Sequence, residues 1–186
     1  MEKTQTMSFV KEVSQVPGGE GVNLCMQCGT CTASCPSAKI WEFTPSEVIA
    51  MVRADMRDAV LSSSSMWCCL SCYSCTVRCP RNVEPTSLFH ALESLAIKHG
   101  YKPQNTNMPV MYNSFVKSIK KNGRVSEFQM MMGYYMSTNP FAALGMISVA
   151  WNLLSHGRMP LSARKIKGKK DLDLILKKLD DVRGEQ

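Results

Sequence analysis

Two cysteine runs with one shared spacing constrain this chain more than anything else in it. Cys25, Cys28, Cys31 and Cys35 are followed at once by Pro36, and Cys69, Cys72, Cys75 and Cys79 by Pro80. Each run reads C-x2-C-x2-C-x3-C-P, the bacterial ferredoxin spacing for cubane [4Fe–4S] ligation. Three thiolates in one tight turn hold three corners of a cube, and a distant fourth joins two segments of chain. In two-cluster proteins of this kind the fourth Cys of each run ligates the other cluster. The expected sets are therefore Cys25, Cys28, Cys31 and Cys79 for cluster 1, and Cys69, Cys72, Cys75 and Cys35 for cluster 2. A proline after the fourth Cys turns the backbone away and brings no N–H that needs a partner.

The other uses of dense cysteine fit less well. Nine Cys is an odd number, and the start MEKTQTMSFVKEV is polar, without the apolar stretch of a secretion signal. A disulfide scaffold is thus disfavoured and a reducing cytoplasm is the expected compartment. Zinc would use C-x2-C knuckles about 15–20 residues apart, with no need for a third Cys or a trailing Pro. The formal charge of +7 treats Cys as neutral. Two oxidised cubanes, each about −2 with its thiolates, bring it to roughly +3, so basic side chains near the runs balance cluster charge before they seek nucleic acid.

With 45% apolar and 20% charged residues in 186, the composition is that of a globular chain, one domain with an appendage. Phe9, Val10 and Val13 give a short helical pattern that breaks at Pro17-Gly18-Gly19. A helix over 44–61 is predicted from Thr44 as N-cap, Pro45 at the first position and Glu47 completing a capping box, with Val48, Ile49, Val52 and Met56 on one face. Ser62 to Ser65 read as a polar break. Glu84-Pro85 starts another helix, with Leu88, Leu92, Leu95 and Ala96 as its stripe and Gly100 as its stop. No strand alternation appears before residue 100, and the two runs with their helical followers form an internal pseudo-repeat. The expectation is an all-α, two-cluster domain over 1–100.

Residues 101–107 read as a linker to a helical extension over 101–186, with helices near 109–121, 126–137, 140–155 and 170–182. The apolar run Phe141 to Leu154 is too short to span a bilayer. Met130, Met131, Met132 and Met136 with Tyr134 and Tyr135 suit either helix core or an adaptable docking surface. Arg158 to Lys170 is basic and free of acids, but without interleaved aromatics it reads as a solvated segment.

Cys68 fits neither run and is expected to be a small buried side chain beside a cluster. With Cys72 and Cys75 it spells C-x3-C-x2-C, the order of radical S-adenosylmethionine enzymes, but those residues already belong to a better pattern and the chain is too short for the barrel of those enzymes. His90, His99 and His156 are scattered, and His99 sits at a helix C-terminus where a cation is favoured. There is no G-x-G-x-x-G, Walker loop or nucleophile elbow, and no catalytic residue is expected. Two redox clusters without substrate machinery point to an electron relay, with turns around Gly29 and Tyr73 offering backbone N–H groups to the sulfurs.

The stretches Cys25-Met-Gln-Cys-Gly-Thr-Cys-Thr-Ala-Ser-Cys-Pro and Trp67-Cys-Cys-Leu-Ser-Cys-Tyr-Ser-Cys-Thr-Val-Arg-Cys-Pro, with Gly157-Arg-Met-Pro160 and the basic segment after it, resemble the iron–sulfur C subunit of heterodisulfide reductase. The cluster runs alone also resemble iron–sulfur subunits of succinate dehydrogenase, fumarate reductase and glycolate or glycerol-3-phosphate oxidation complexes. The first resemblance implies an α-helical ferredoxin domain in a cytoplasmic complex of methanogenic archaea, with no membrane span and no nucleic-acid partner. Electrons would pass from a flavin-bearing A subunit, fed by a hydrogenase or formate dehydrogenase module, to a catalytic B subunit. In that family the catalytic partner reduces the mixed disulfide of coenzyme M and coenzyme B on non-cubane clusters held by Cys-Cys-Gly motifs. Here Leu70 follows Cys68-Cys69, so that motif is absent. The alternative is the same relay in another complex, such as Hdr-like sulfur metabolism or the fumarate reductase and glycolate oxidase types.

Overall fold

A computed structural model describes residues 8–103, 105–158 and 165–184. Gln104 of the expected linker and residues 159–164 of the basic segment lie outside the described residues, as do the first seven. The chain divides into two units, Met1–Thr106 and Asn107–Gln186. The segment after Gly100 stays with the first unit: the Tyr101 N–H donates to Ala96 O at 2.9 Å and its hydroxyl to Asp58. Among the described residues every regular element is helical.

The first unit holds α1 (Phe9–Ser14), α2 (Thr30–Ala33), α3 (Pro45–Arg53), α4 (Arg57–Ser62), α5 (Ser74–Val77) and α6 (Pro85–Lys98). Short 3-10 turns at Glu20–Leu24 and Met66–Cys68 lead into the two cysteine runs. The repeat seen in the sequence is thus a repeat of structure. In each half a helix and a tight turn precede the run, a one-turn helix sits inside it, and a helix opened by proline follows (α3, α6).

The expected helix over 44–61 is two helices. Its start is as predicted, with the Glu47 carboxylate accepting the Thr44 N–H at 2.7 Å. The chain then turns at Asp55, which has φ +58°. The reason is tertiary. Asp55 Oδ1 accepts the Val10 N–H at 3.0 Å and the Ser8 hydroxyl at 2.9 Å, capping α1 from the far side of the fold.

Among the described residues the buried apolar side chains all belong to the first unit. Val13, Val22, Val52, Leu61, Leu92 and Ala96 are completely buried, and Val48, Ile49, Leu88 and Phe89 nearly so. The stripe read from α6 is this core face. The supposed polar break at Ser62 to Ser65 is partly interior: Ser63 and Ser65 are buried, and Ser65 Oγ accepts the Phe43 N–H at 2.9 Å. Glu12 ties α1 to the rest through Arg57 on α4 and, at 2.8 Å, through His99 Nε2 at the end of α6.

The second unit contains α7 (Met108–Asn122), α8 (Glu127–Thr138), α9 (Pro140–Gly145), α10 (Ile147–Ser155) and α11 (Lys169–Gly184). The single helix expected over 140–155 is interrupted at Met146. No apolar side chain of this unit is buried among the described residues, while the polar Ser114, Ser118, Asn122 and Ser126 are. The hairpin of α7 and α8 is held by polar contacts: Ser118 Oγ accepts the Ser126 N–H at 2.9 Å, and Asn122 Nδ2 donates to Gln129 Oε1 at 2.8 Å. Met132, Met136, Phe141, Leu144 and Trp151 are left exposed.

Candidate metal centre

Both cysteine runs line cavities, and the cavities share a wall. The first encloses about 380 Å³, its open mouth included, and is lined by Cys25, Cys28, Cys31, Cys75 and Cys79. The second encloses about 310 Å³ on the same terms and is lined by Cys31, Cys35, Cys69, Cys72 and Cys75. Cys31 and Cys75 thus border both. The fourth cysteine of each run leaves its own three and lines the cavity of the other run. The chain after it stays there: Arg81, Val83 and Pro85 follow Cys79 into the first cavity, while Ser37, Trp41 and Pro45 follow Cys35 into the second. The next residues cross back. Ser46 and Ile49 of α3 line the first cavity, and Thr86 and Phe89 of α6 the second. Cys68 lines neither; its half-buried Sγ lies 3.6 Å from Ser64 O and 3.7 Å from Ile40 O.

The loops reach this shape through unusual backbone. Gln27 and Ser71, just before the second cysteine of each run, have φ of +58° and +51°. Gly29 and Tyr73, just after it, have φ of +74° and +59°. Glycine adopts such angles freely, whereas a tyrosine there is strained. Left- and right-handed residues in alternation point successive N–H groups inward, forming a nest for negative charge. The N–H groups of Thr30 and Ser74 accordingly face Cys28 and Cys72.

Polar partners surround the sulfurs. Cys25 Sγ receives Gln27 N–H and Nε2, both at 3.5 Å, and Cys28 Sγ lies 3.3 Å from Thr30 Oγ1. Cys35 Sγ lies 3.3 Å from Ser37 Oγ, Cys75 Sγ 3.4 Å from Thr86 Oγ1, and Cys72 Sγ 3.6 Å from Ser74 Oγ. The thiols of Cys28 and Cys72 are held below the ordinary value by these contacts from Thr30 and Ser74. Burial pushes Cys31 up to about 11 and raises Cys69 as well. Iron bound as thiolate would reverse that cost, since a coordinating thiol is deprotonated outright.

Sequence reasoning passed over several neighbours of this centre. The buried Ser37 accepts Trp41 Nε1–H at 3.0 Å and reaches Cys68 O at 3.1 Å. Arg53 donates to Cys25 O at 2.7 Å and Arg81 to Leu24 O at 3.4 Å. His90, one of the scattered histidines, bridges Ser71 Oγ at 2.9 Å and Glu93 Oε2 at 3.1 Å. Glu93 is buried, which raises its pKa, and acts electrostatically on Cys69. The available signal was the repeat itself: counted from Cys-Pro it aligns Ser37 with Arg81, and counted from the proline that opens the next helix it aligns Arg53 with Glu93.

The donor set suits a group larger than one ion. Among the described residues no three Cys, His, Asp or Glu side chains converge as a single metal requires, yet the thiols ring two adjoining cavities. Residues 21–83 match the 4Fe-4S dicluster domain family. The chain is similar to the C subunit of a ferredoxin:CoB-CoM heterodisulfide reductase of Methanosarcina acetivorans, 39% identical over 92 residues, 50% of this chain and 37% of the relative. It is also similar to the C subunit of an H(2):CoB-CoM heterodisulfide,ferredoxin reductase of Methanothermobacter thermautotrophicus, 34% identical over 90 residues, 48% and 49% of the two chains. A third relative is the iron–sulfur C subunit of a CoB–CoM heterodisulfide reductase of Methanopyrus kandleri, 32% identical over 111 residues, 54% and 58%. The chain thus spans between 37% and 58% of the length of these relatives. It carries two [4Fe–4S] clusters and is an iron–sulfur protein. No helix among the described residues is long and apolar enough to cross a membrane.

Proposed function

We propose that the chain is the relay component of a heterodisulfide reductase, taking electrons from a flavin-bearing A subunit and delivering them to a catalytic B subunit that reduces the mixed disulfide of coenzyme M and coenzyme B. It has no active site of its own. A bound [4Fe–4S] cluster supplies one-electron storage with little rearrangement. Cys25, Cys28, Cys31 and Cys79 hold one cluster, and Cys69, Cys72, Cys75 and Cys35 the other.

The observation that carries this reading is the shared wall of Cys31 and Cys75, which border both cavities and set the two sites side by side. A path through the protein also needs an opening at each site. Cys28 and Cys72 are the exposed thiols, and Met26 and Leu70 beside their loops are 61% and 64% exposed. The second unit, with its unburied methionines and aromatics, is assigned the main docking role, because chains of its kind cover such faces with a partner. The complex would sit in the cytoplasm, fed by a hydrogenase or formate dehydrogenase module.

The domain match ends at residue 83, and the cysteine runs within it are common to other relays. That favours one second reading, the same role in a different dehydrogenase or disulfide-reducing complex. Assay decides. The purified chain should be reduced by an artificial donor yet turn over no disulfide, with activity returning on addition of the flavin-bearing and catalytic partners; turnover by the chain alone refutes the relay. Co-purification with a Cys-Cys-Gly partner that reduces the coenzyme M–coenzyme B disulfide selects the first complex over the second.

A further inference from the structure

The two halves of the first unit align around the two cavities, run on run and helix on helix, with the stretch between Cys-Pro and the proline of the next helix four residues shorter in the second half. Ser46, Ile49 and Arg53 follow one face of α3 at the helical spacing. Thr86, Phe89 and Glu93 follow the same face of α6. Ser46 and Ile49 line the first cavity while Thr86 and Phe89 line the second. The third member of each stripe breaks the match in charge. Arg53 bonds the carbonyl of Cys25, the first ligand of its run, at 2.7 Å. Glu93, one turn past the cavity-lining Phe89, bonds His90 at 3.1 Å, and His90 reaches Ser71 beside Cys72 at 2.9 Å. The residue after each Cys-Pro breaks it the same way: Arg81 lines the first cavity and Ser37 the second.

We propose that this inverted pair of positions makes the two sites electrostatically unequal, so that the first electron taken up settles on the site of Cys25, Cys28 and Cys31. The proposal rests on the two-cluster relay above and adds a polarity to it. An electron added to a cluster adds negative charge, and a nearby cation favours the reduced form. A guanidinium is always charged. Arg53 and Arg81 therefore contribute positive charge on one side only. Glu93 contributes negative charge or none, and His90, which touches Glu93 and Ser71, at most cancels that carboxylate. Arg53 and Glu93 stand one turn beyond Ile49 and Phe89, the cavity-lining residues of their helices, whereas Arg78 and Lys39 lie on neither helix and line neither cavity.

Hydrogen bonds to sulfur also raise a potential, and they do not restore the balance. Gln27 N–H and Nε2 and the Thr30 hydroxyl stand against Cys25 and Cys28 on one side, and the hydroxyls of Ser37, Ser74 and Thr86 against Cys35, Cys72 and Cys75 on the other. One of the latter is shared, since the single hydroxyl proton of Ser37 has Cys68 O at 3.1 Å as a competing acceptor. Charge decides where hydrogen bonding is even.

The test is an EPR-monitored redox titration of the full chain with both clusters in place, after counting iron and sulfide. Arg53 and Arg81 are exposed, so Arg53→Gln and Arg81→Gln fold, as iron content and circular dichroism verify. The double variant should lower the higher midpoint by about tenfold in the reduction equilibrium, about 59 mV for one electron, and leave the lower one in place. A shift of the lower midpoint instead, or of neither, overturns the proposal. Cys28→Ser labels the site whichever fourth ligand it has: it should alter the higher-potential signal, and alteration of the lower one overturns the assignment. Failure of the underlying reading is separate. It appears as fewer than two clusters in the unmodified chain, or as Cys79→Ser disturbing the signal that Cys28→Ser leaves alone.

Discussion

Thr32 Oγ1 lies 2.7 Å from Ser46 Oγ and accepts the Ser46 N–H at 2.9 Å, fastening the first cysteine run to the start of α3. The second half repeats the joint, with Thr76 Oγ1 3.4 Å from Thr86 Oγ1. Each threonine directly follows the third cysteine of its run, and each partner follows the proline that opens the next helix. The joint uses a helix N-terminus, where N–H groups lack intrahelical acceptors. It thereby locks the loop that carries three thiols to the helix that walls their cavity.

Thr32→Val keeps the shape of the side chain and removes both bonds. It leaves the part-buried Ser46 N–H without its acceptor, so the loss should be about 1–3 kcal/mol, read from denaturant unfolding of the cluster-loaded protein. Thr76→Val, whose contact is longer, should cost less. Equal costs would mean that packing, and not the hydrogen bond, holds the joint.

Gly29 and Tyr73 hold the same left-handed place in the two runs, at φ +74° and +59°. A Cβ added at Gly29 would meet nothing within 4 Å, so Gly29→Ala isolates the backbone cost, about 1–2 kcal/mol. Tyr73→Gly should gain a similar amount, since the tyrosine is largely exposed and gives up little packing. If Tyr73→Gly destabilises the protein, the ring makes contacts worth more than the strain.

Local spacing carries much of this fold. The capping box at Thr44-Pro45, the stripe of α6 and the doubling of the cysteine run each depend on residues a few positions apart, which a sequence displays directly. What it hid depends on partners far along the chain. Asp55 ends α3 because it caps α1, forty-odd residues earlier. Ser63 and Ser65 resemble a loop in composition but lie buried, with Ser65 serving the N–H of Phe43. Of the two partners of His90, Glu93 is one helical turn away, but Ser71 comes from the second cysteine loop, well before α6. The Arg53–Glu93 exchange was readable in principle, by laying one half of the repeat over the other.

Glu12 should make stability depend on acid. Burial alone would raise its carboxyl, but hydrogen bonds and charge from Arg57 and His99 outweigh that and hold it below the ordinary 4.5. A depressed folded value means the contribution is complete above the unfolded value and disappears as pH falls through the folded one. Glu12→Gln should therefore cost about 1.5–3 kcal/mol at pH 7 in urea unfolding, with the gap to the unmodified protein closing below pH 4.5. A gap independent of pH would assign the effect to shape.

Cys68 and Cys69 are adjacent, yet only Cys69 lines a cavity. Cys68 faces the carbonyls of Ser64 and Ile40 instead, so it lacks the position of a ligand. Cys68→Ala should retain about eight iron atoms per chain, the content of two cubanes. Cys69→Ala removes one corner of a site whose other thiols, Cys72, Cys75 and Cys35, remain, and should lose part of the iron and of the visible absorbance. Both are read by iron and sulfide analysis on protein purified without oxygen. Loss of iron in the Cys68 variant with retention in the Cys69 variant would shift the register of the second run by one residue, and with it the alignment of the two halves.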